Sequence, residues 1–497
     1  MAEYIMALDA GTTSCRAVIF DRRGEVCSVG QHEFPQHFPK PGWVEHDASE
    51  IWEAQLSSAR DAMAGSGLHA ADIAAIGITN QRETTVLWDR ASGMPVAPAI
   101  VWQCRRTAEY CDELTKRGLG PMIRAKTGLL PDAYFSATKL KWLLDNTPGA
   151  REAARAGRLA FGTVECYLLW KLSGGKLHLT DHTNASRTML FNINSLKWDD
   201  ELLELFGIPA SLLPEPVPCA VRYGETAFEL FNGSIPLAGA AGDQQSALFA
   251  QGCFTPGQAK VTYGTGGFLL MNTGDSPVFS NHGLLTTLAC GPGGRPGYAL
   301  EGSVFVAGAA IQWLRDQVKL VESSPDSERI AREVADTNGC YMVPAFTGLG
   351  APHWEPHARG VIVGLTRGVT RGHLVRAALE SLAYQVDDVI EAMRDDSSLP
   401  LDAIKVDGGA SLNNFLMQFQ SDITRAVVRR VCNVEATALG AACLAGIAVG
   451  FWPGEPPYLR GSEREFMPGM AAAEREEKLR GWRRAVRCAC AWARDAD

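Results

Sequence analysis

Residues 4–21 read Y-I-M-A-L-D-A-G-T-T-S-C-R-A-V-I-F-D, and the fold follows from how this stretch is parsed. Ile5, Met6, Ala7 and Leu8 form one short apolar run and the segment from Arg16 to Phe20 another, with Asp, Gly, Thr and Ser in the turn between them, the pattern of a β-hairpin. Gly11 lets the backbone approach a ligand with no Cβ in the way, and the amides and hydroxyls of Thr12, Thr13 and Ser14 are donors suited to phosphate oxygens. Asp9, at the strand end, is placed to hold a metal ion against that phosphate. Such a turn is also a common polar hairpin, so a second copy carries weight. Residues 259–272, A-K-V-T-Y-G-T-G-G-F-L-L-M-N, repeat strand, Gly/Thr turn and strand about halfway along the chain. Two related halves with one phosphate-gripping hairpin each predict a nucleotide held between two domains, divided as 1–248 and 249–497.

At 497 residues the chain exceeds one core and suits two or three domains. A net charge of -9 and a pI near 5.7 argue against a nucleic-acid binder, which needs an extended basic face to displace counterions. No basic leader opens the chain and no apolar run is long enough to span a bilayer, so a cytoplasmic protein is expected. Thirteen cysteines without a C-x-x-C pair point to free thiols in a reducing compartment. His353 and His357 in H-W-E-P-H have metal-ligand spacing on a helix, but Pro356 breaks that helix and assigns them to a loop.

Asp47 and Glu50 predict a capping box ahead of a helix over 51–63. Ile73 to Thr79 reads as a buried strand that delivers Asn80, Gln81, Arg82 and Glu83 at its carboxyl end, where open α/β sheets gather ligands. Arg82 and Glu83 there either donate to and accept from a hydroxyl or form a surface ion pair. I-V-W-Q-C-R-R at 100–106 reads as another strand ending in polar groups, with Trp102 either core or a face for a carbon chain. Residues 180–187 read as a polar loop. I-P-L-A-G-A-A-G-D-Q-Q at 235–245 permits the close packing of an interdomain crossover and presents Asp243 and Gln244. Asp243 is either a carboxylate that takes the proton of an attacking hydroxyl or the N-cap of the next helix. Residues 302–314 read as a helix with Gly308 and Gln312 on one face. A long helix is expected over 372–393. I-K-V-D-G-G-A-S-L-N-N at 404–414 reads as strand, double glycine and helix start, a cradle for a ribose or base at Gly408 and Gly409 with Asn413 beside it. From Pro453 onward the chain is charged and helical in pattern.

D-A-G-T-T-S, G-I-T-N-Q-R-E-T-T, G-D-Q-Q-S-A-L-F and V-D-G-G-A-S-L-N-N together resemble the FGGY carbohydrate kinases, and the likeness runs from Tyr4 to Trp482. The resemblance implies an α/β, actin-like ATPase fold in which two ribonuclease-H-like domains flank a nucleotide cleft. It implies transfer of the ATP γ-phosphoryl group to glycerol, giving sn-glycerol 3-phosphate, with Mg2+ as cofactor. Carried over by position, it gives polyol hydroxyls to Arg82, Glu83, Tyr134, Asp243 and Gln244, and the carbon skeleton to Trp102 and Phe268. Asp243 becomes the general base, Asp9 the magnesium-side carboxylate, and Thr12, Thr13, Ser14 and Arg16 the phosphate grip. Thr265, Gly308, Gln312, Gly409 and Asn413 are similar to nucleotide contacts, and a homo-oligomer, dimer or tetramer, is implied. The chain departs from the family at Ala10, where Gln is more frequent, and at Glu165-Cys166-Tyr167, where Asp-Thr-Trp is usual. Some bacterial relatives carry a Gly-Thr-Arg loop for fructose 1,6-bisphosphate or a phosphorylated histidine near residues 229–234. Phe231-Asn232-Gly233-Ser234 lacks that Arg, leaving no cation for the bisphosphate, and Glu229 stands in the histidine's place, so neither control is expected.

Two rivals remain at this stage. A kinase of a larger polyol or ketose differs only in acceptor. An actin- or chaperone-like ATPase turns over ATP without regard to glycerol, and leaves Arg82, Glu83 and Gln244 without work.

Overall fold

The computed structural model describes residues 2–431, 435–452, 456 and 462–494. Strand β1 (Tyr4–Ala10), buried from Ile5 onward, pairs antiparallel with β2 (Ser14–Phe20), which places Asp9 opposite Arg16. β2 pairs in turn with β3 (Val26–Glu33). Helix α1 (Ala48–Ser66) covers β2 and β3, and the Asp47 carboxylate accepts from the Ser49 amide at 2.8 Å as its cap. Glu50 does not close the expected capping box; its carboxylate is drawn off to His37 Nε2, 3.4 Å away. β4 (Ile73–Asn80) runs parallel to β1 and sets Asn80 level with Ala10. β5 (Arg222–Glu225) and β6 (Pro236–Gly242) complete a sheet of order β5-β6-β4-β1-β2-β3, with β6 parallel to β4.

The second half repeats this plan. β7 (Ala259–Tyr263) and β8 (Gly267–Gly274) form the second hairpin, followed by β9 (Leu285–Cys290), β10 (Pro296–Val304), β11 (Ala403–Asp407), β12 (Val427–Val431) and β13 (Ser462–Phe466). Their order is β9-β10-β8-β7-β11-β12-β13, with β7, β11 and β12 mutually parallel and the rest antiparallel. The run β3-β2-β1-β4-β6-β5 therefore recurs as β10-β8-β7-β11-β12-β13, with β9 added at one edge.

Helix α2 (Asp243–Ala250) leaves β6 directly and packs on α6 (Ala436–Val449), which also lies across β1, β4 and β6. Between them come α3 (Gly308–Asp316), the long α4 (Arg371–Ser397) and α5 (Asn414–Thr424). Small residues allow the crossing to approach at backbone distance. A Cβ on Gly440 would stand 2.0 Å from the Ser246 carbonyl oxygen, and one on Gly77 would stand 2.2 Å from that of Ala441. Ser246 Oγ donates to the Thr437 carbonyl at 2.7 Å across the same contact. The expected C-terminal helix is α7 (Ala472–Arg494), whose Trp482 stacks on Tyr384 at 5.2 Å; residues 453–455, 457–461 and 495–497 of that charged stretch lie outside the described residues. Among the described residues no helix is long and apolar enough to cross a membrane.

Three expectations are corrected. Of the stretch 100–106 only Ile100 is strand, pairing together with Ala99 against Glu45–His46, which is just two residues long, and Arg106 turns aside to lie 3.9 Å from the centroid of the Trp43 ring. Residues 180–187 are no solvated loop. They form the end of strand Leu179–Asp181 and the short helix His182–Ala185, all buried, because Asp181 accepts from the Thr183 and Asn184 amides while Thr180 and Asn184 bond Glu165 and Asn80 outside the segment. Gly302 belongs to β10, and the helix expected over 302–314 starts only at Gly308.

Candidate active site

Both hairpin turns are built alike. Gly11 N–H is tied back to the Ser14 carbonyl at 3.0 Å, and Gly264 N–H to the Gly266 carbonyl at 2.9 Å. That closure leaves the amides of Thr12 and Thr13, and those of Thr265 and Gly266, without acceptors among the described residues. Undonated amides in a tight turn form an anion-binding concavity. The Thr265 carbonyl accepts from Ala307 and Ala309 at 2.9 and 3.1 Å, which docks the N-terminus of α3 on the second turn. Gly308 fits there because a Cβ would stand 2.6 Å from the Gly264 carbonyl oxygen; Gln312, one turn on, is exposed. At the first turn Thr12 Oγ1 accepts from Trp102 Nε1 at 3.1 Å and Ser14 Oγ from Gln31 Nε2 at 3.2 Å.

Asp9 is buried at the end of β1. Burial raises its pKa, Arg16 opposes that, and the nearby Asp243 carboxylate raises it further. Asp9 Oδ2 accepts from Arg16 at 2.7 Å, and Oδ1 has no partner among the described residues. A desolvated carboxylate with a free oxygen suits a cation. No group of three or more His, Cys, Asp or Glu among the described residues could hold a metal, so an ion at Asp9 would draw its other ligands from phosphate and water.

The end of β4 carries the densest charge. Arg82 is buried and grips Glu301 of β10 with both terminal nitrogens, at 2.7 and 2.8 Å, so one guanidinium bridges the two sheets. Its Nε lies 3.3 Å from Asp243 Oδ1, and its remaining donors reach Gln245 Oε1 at 3.2 Å and Tyr134 Oη at 3.4 Å. Glu83 turns on a positive φ of 60°, a strained conformation for a non-glycine residue, and presents Oε1 to Arg187 Nε at 2.6 Å. Arg187 also reaches Glu301 at 3.1 Å. Burial alone would raise Glu301, but Arg187 and Arg82 prevail and hold it at about 2. Glu83 is raised, with burial outweighing the same two cations. Its Oε2 has no partner among the described residues and is available to a hydroxyl. The sequence alternative of a surface ion pair is therefore corrected: Arg82 and Glu83 are 3% and 1% exposed.

Asp243 opens α2, and the cap is Gly242 rather than Asp243 itself. Gly242 also gives the Arg82 stem its passage, since a Cβ there would stand 2.6 Å from Arg82 Cδ. Asp243 Oδ1 accepts from the Gln244 amide at 2.8 Å and Oδ2 from Gln244 Nε2 at 3.2 Å, while the side chain keeps 31% exposure to the cleft. Trp102 meets Tyr134 edge-on at 5.7 Å and Phe268 of β8 at 6.2 Å, an aromatic wall drawn from both halves. Farther along, a Cβ on Gly409 would meet nothing within 4 Å, which leaves that face open. Asn413 Oδ1 caps α5 through the Leu416 amide at 2.9 Å, and its Nδ2 lies 3.4 Å from Ser327 Oγ.

Sequence reasoning missed Arg187, Glu301, Gln245 and Lys260, all buried beside the candidate residues. The available signal was a full charge in the middle of a strand-like run: Lys260 in A-K-V-T-Y and Glu301 in Y-A-L-E-G-S-V-F. It also missed Arg60, whose guanidinium donates to the Leu230 carbonyl at 3.2 and 3.1 Å, so a cation does stand beside residues 231–234. His353, from the histidine pair, bonds Asp388 at 3.0 Å.

Under the site lies a second acid cluster. Glu165 accepts from Thr163 and Thr180 at 2.7 Å each and from Asn80 at 3.1 Å. Burial, with the Asp181 carboxylate nearby, pushes it from 4.5 up to about 8. The folded chain thus keeps a proton that the unfolded chain releases. The resulting stability is fully present below the unfolded value of 4.5 and is lost as pH rises to about 8. Glu165→Gln, neutral throughout, is expected to flatten a decline of up to about 1.4 kcal/mol per pH unit in urea titrations across this window. An unchanged slope would contradict that reading.

Two sheets of one topology, joined by close-packed crossing helices with a Gly/Thr hairpin turn on each, make up the actin-like ATPase fold of a two-domain kinase. The model of the FGGY family of carbohydrate kinases, N-terminal domain, matches residues 4–250, and that of the C-terminal domain matches residues 259–449. The chain is 62% identical over 497 residues to a glycerol kinase of Agathobacter rectalis, covering 100% of both, and 59% identical over 494 residues to glycerol kinase 1 of Clostridium tetani, covering 99% of both. Among solved structures it superposes on a Plasmodium falciparum glycerol kinase with ADP at a TM-score of 0.91 and 36% identity, covering 98% of each chain. A Lactobacillus acidophilus gluconate kinase, at TM-score 0.88, 21% identity and 99% coverage of each, shares the fold. The chain belongs to the FGGY family of carbohydrate kinases and is a phosphotransferase.

Proposed function

We propose that the chain transfers the γ-phosphoryl group of ATP to glycerol, giving sn-glycerol 3-phosphate, with Asp243 as general base. The observation that carries this reading is the partly open Asp243 carboxylate, fixed by Arg82 and Gln244, together with the Trp102–Phe268 aromatic pair drawn from both halves. The names of the full-length relatives and their ADP-bound neighbour support the same acceptor and donor.

Glycerol hydroxyls would pair with Arg82, Glu83 Oε2, Tyr134, Asp243 and Gln244, while Trp102 and Phe268 cover its carbons. Asp243 orients the attacking hydroxyl and takes its proton as the bond to phosphorus forms, a modest demand because phosphoryl transfer asks chiefly for in-line placement and charge neutralisation. Thr12, Thr13, Ser14 and Arg16 on one side, and Thr265 with the N-terminus of α3 at Gly308 and Gln312 on the other, grip the phosphates. Gly409 and Asn413 face the adenosine. Mg2+ held at Asp9 would supply charge neutralisation on the phosphate oxygens when bound. Residues 1–248 then form the acceptor domain and 249–497 the nucleotide domain, in an expected homo-oligomer.

Because Arg82, Glu301, Trp102 and Phe268 join the halves, glycerol is expected to draw them together and exclude water as a competing acceptor. Small-angle scattering should show a smaller radius of gyration with glycerol than without; an identical radius would count against closure. A panel of glycerol, erythritol and xylulose assayed for ADP release decides the acceptor. Glycerol should dominate, and ATP turnover indifferent to every polyol would overturn the function.

A further inference from the structure

Lys260 lies inside β7, fully buried, in the strand A-K-V-T-Y that runs into the second phosphate turn. An ammonium in such a place costs several kcal/mol unless it is compensated. Its partners are two neutral oxygens: Gln244 Oε1, and Thr262 Oγ1 at 2.8 Å. The charged groups that face it are Asp407, Asp243, Arg82 and Glu301. Asp407, the foremost of these, accepts from Gln251 Nε2 at 2.8 Å through Oδ2 and lies across the sheet from Thr262, the residue that bonds Lys260.

An ammonium only donates, so it fixes which end of the Gln244 amide faces it. With Oε1 held by Lys260, Nε2 is turned to Asp243 Oδ2 at 3.2 Å, and the Gln244 amide and Arg82 hold Oδ1 at 2.8 and 3.3 Å. We propose that Lys260 is a positioning residue for phosphoryl transfer: acting through Gln244, it fixes the orientation of the Asp243 carboxylate and ties the acceptor site to the strand that carries the second phosphate turn. This rests on the reading of Asp243 as the base for glycerol.

Lys260→Met keeps an unbranched side chain, shorter by the terminal nitrogen, and removes its charge and donors. In the full-length enzyme it is expected to lower kcat/KM for glycerol by about 100-fold, the cost of a small misplacement at a reacting centre, with KM for ATP within about twofold. Burial lowers the Lys260 pKa to about 8, so the wild-type kcat/KM profile should fall on its alkaline side near that pH as the hold on Gln244 is lost. The residual activity of Lys260→Met should lack this limb. The double variant with Gln244→Met should lose no more than Gln244→Met alone. A Lys260→Met enzyme within about threefold of wild type overturns the proposal, and so does a wild-type profile flat through pH 9, a measurement that needs no variant to fold. If the wild type makes no glycerol phosphate, the proposed function itself fails; active wild type with an indifferent Lys260→Met sinks only the role of Lys260.

Discussion

Asp243→Asn is expected to lose about 10²–10⁴-fold in kcat while its affinity for ATP stays within about twofold of wild type. The substitution is nearly isosteric. It keeps an oxygen to accept from the Gln244 amide and leaves Gly242 as the cap of α2, so the fold has no reason to change. What it removes is the group that accepts a proton, together with a negative charge 3.3 Å from Arg82 Nε. Single-turnover kinetics with glycerol and equilibrium nucleotide binding separate the two effects. Turnover near wild type would end the assignment of Asp243 as base, and a large loss of ATP affinity would mean that the carboxylate serves the nucleotide instead.

The second large effect belongs to Glu301, to which the sequence reading gave no role. Glu301→Gln leaves buried Arg187 with Glu83 and buried Arg82 with Asp243 and Glu83 as the remaining carboxylates in contact among the described residues, and breaking a buried pair from one side costs about 3–5 kcal/mol. The lost clamp also frees Arg82, so KM for glycerol should rise about tenfold or more. The pH sign is opposite to that of Glu165. Glu301 is held down at about 2, so its contribution is fully present above the unfolded value of 4.5 and is lost as pH falls through 2. The variant should therefore show a weaker fall in stability below pH 4.5 than wild type. Urea midpoints and KM values both unchanged would remove Glu301 from the site.

Much of the fold was legible because its signals are local. Apolar runs around Gly11 and Gly264 gave both hairpins, and the repeat predicted two halves of one topology. The same local reading failed where a partner decides. Ile100 and Val101 have strand residues but no neighbouring strand long enough to extend them. Thr180, Asp181, Thr183 and Asn184 look like a solvated loop, yet Asp181 alone satisfies the amides of Thr183 and Asn184 and the Asn184 side chain, which lets the segment be buried. At the site, Arg82 and Glu83 could be placed at a strand end from sequence. Glu301, 219 residues away from Arg82, could not, because nothing short of the folded sheets brings β10 to β4. Lys260 and Glu301 share one physical mark, a full charge in a buried strand.

Asp243 is proposed to activate glycerol toward ATP. Phosphorus-31 NMR of the enzyme with ATP, Mg2+ and glycerol tests it most directly. The expected spectrum shows sn-glycerol 3-phosphate appearing one-for-one with ADP and no inorganic phosphate. ADP appearing with inorganic phosphate alone, at the same rate with or without glycerol, would contradict it.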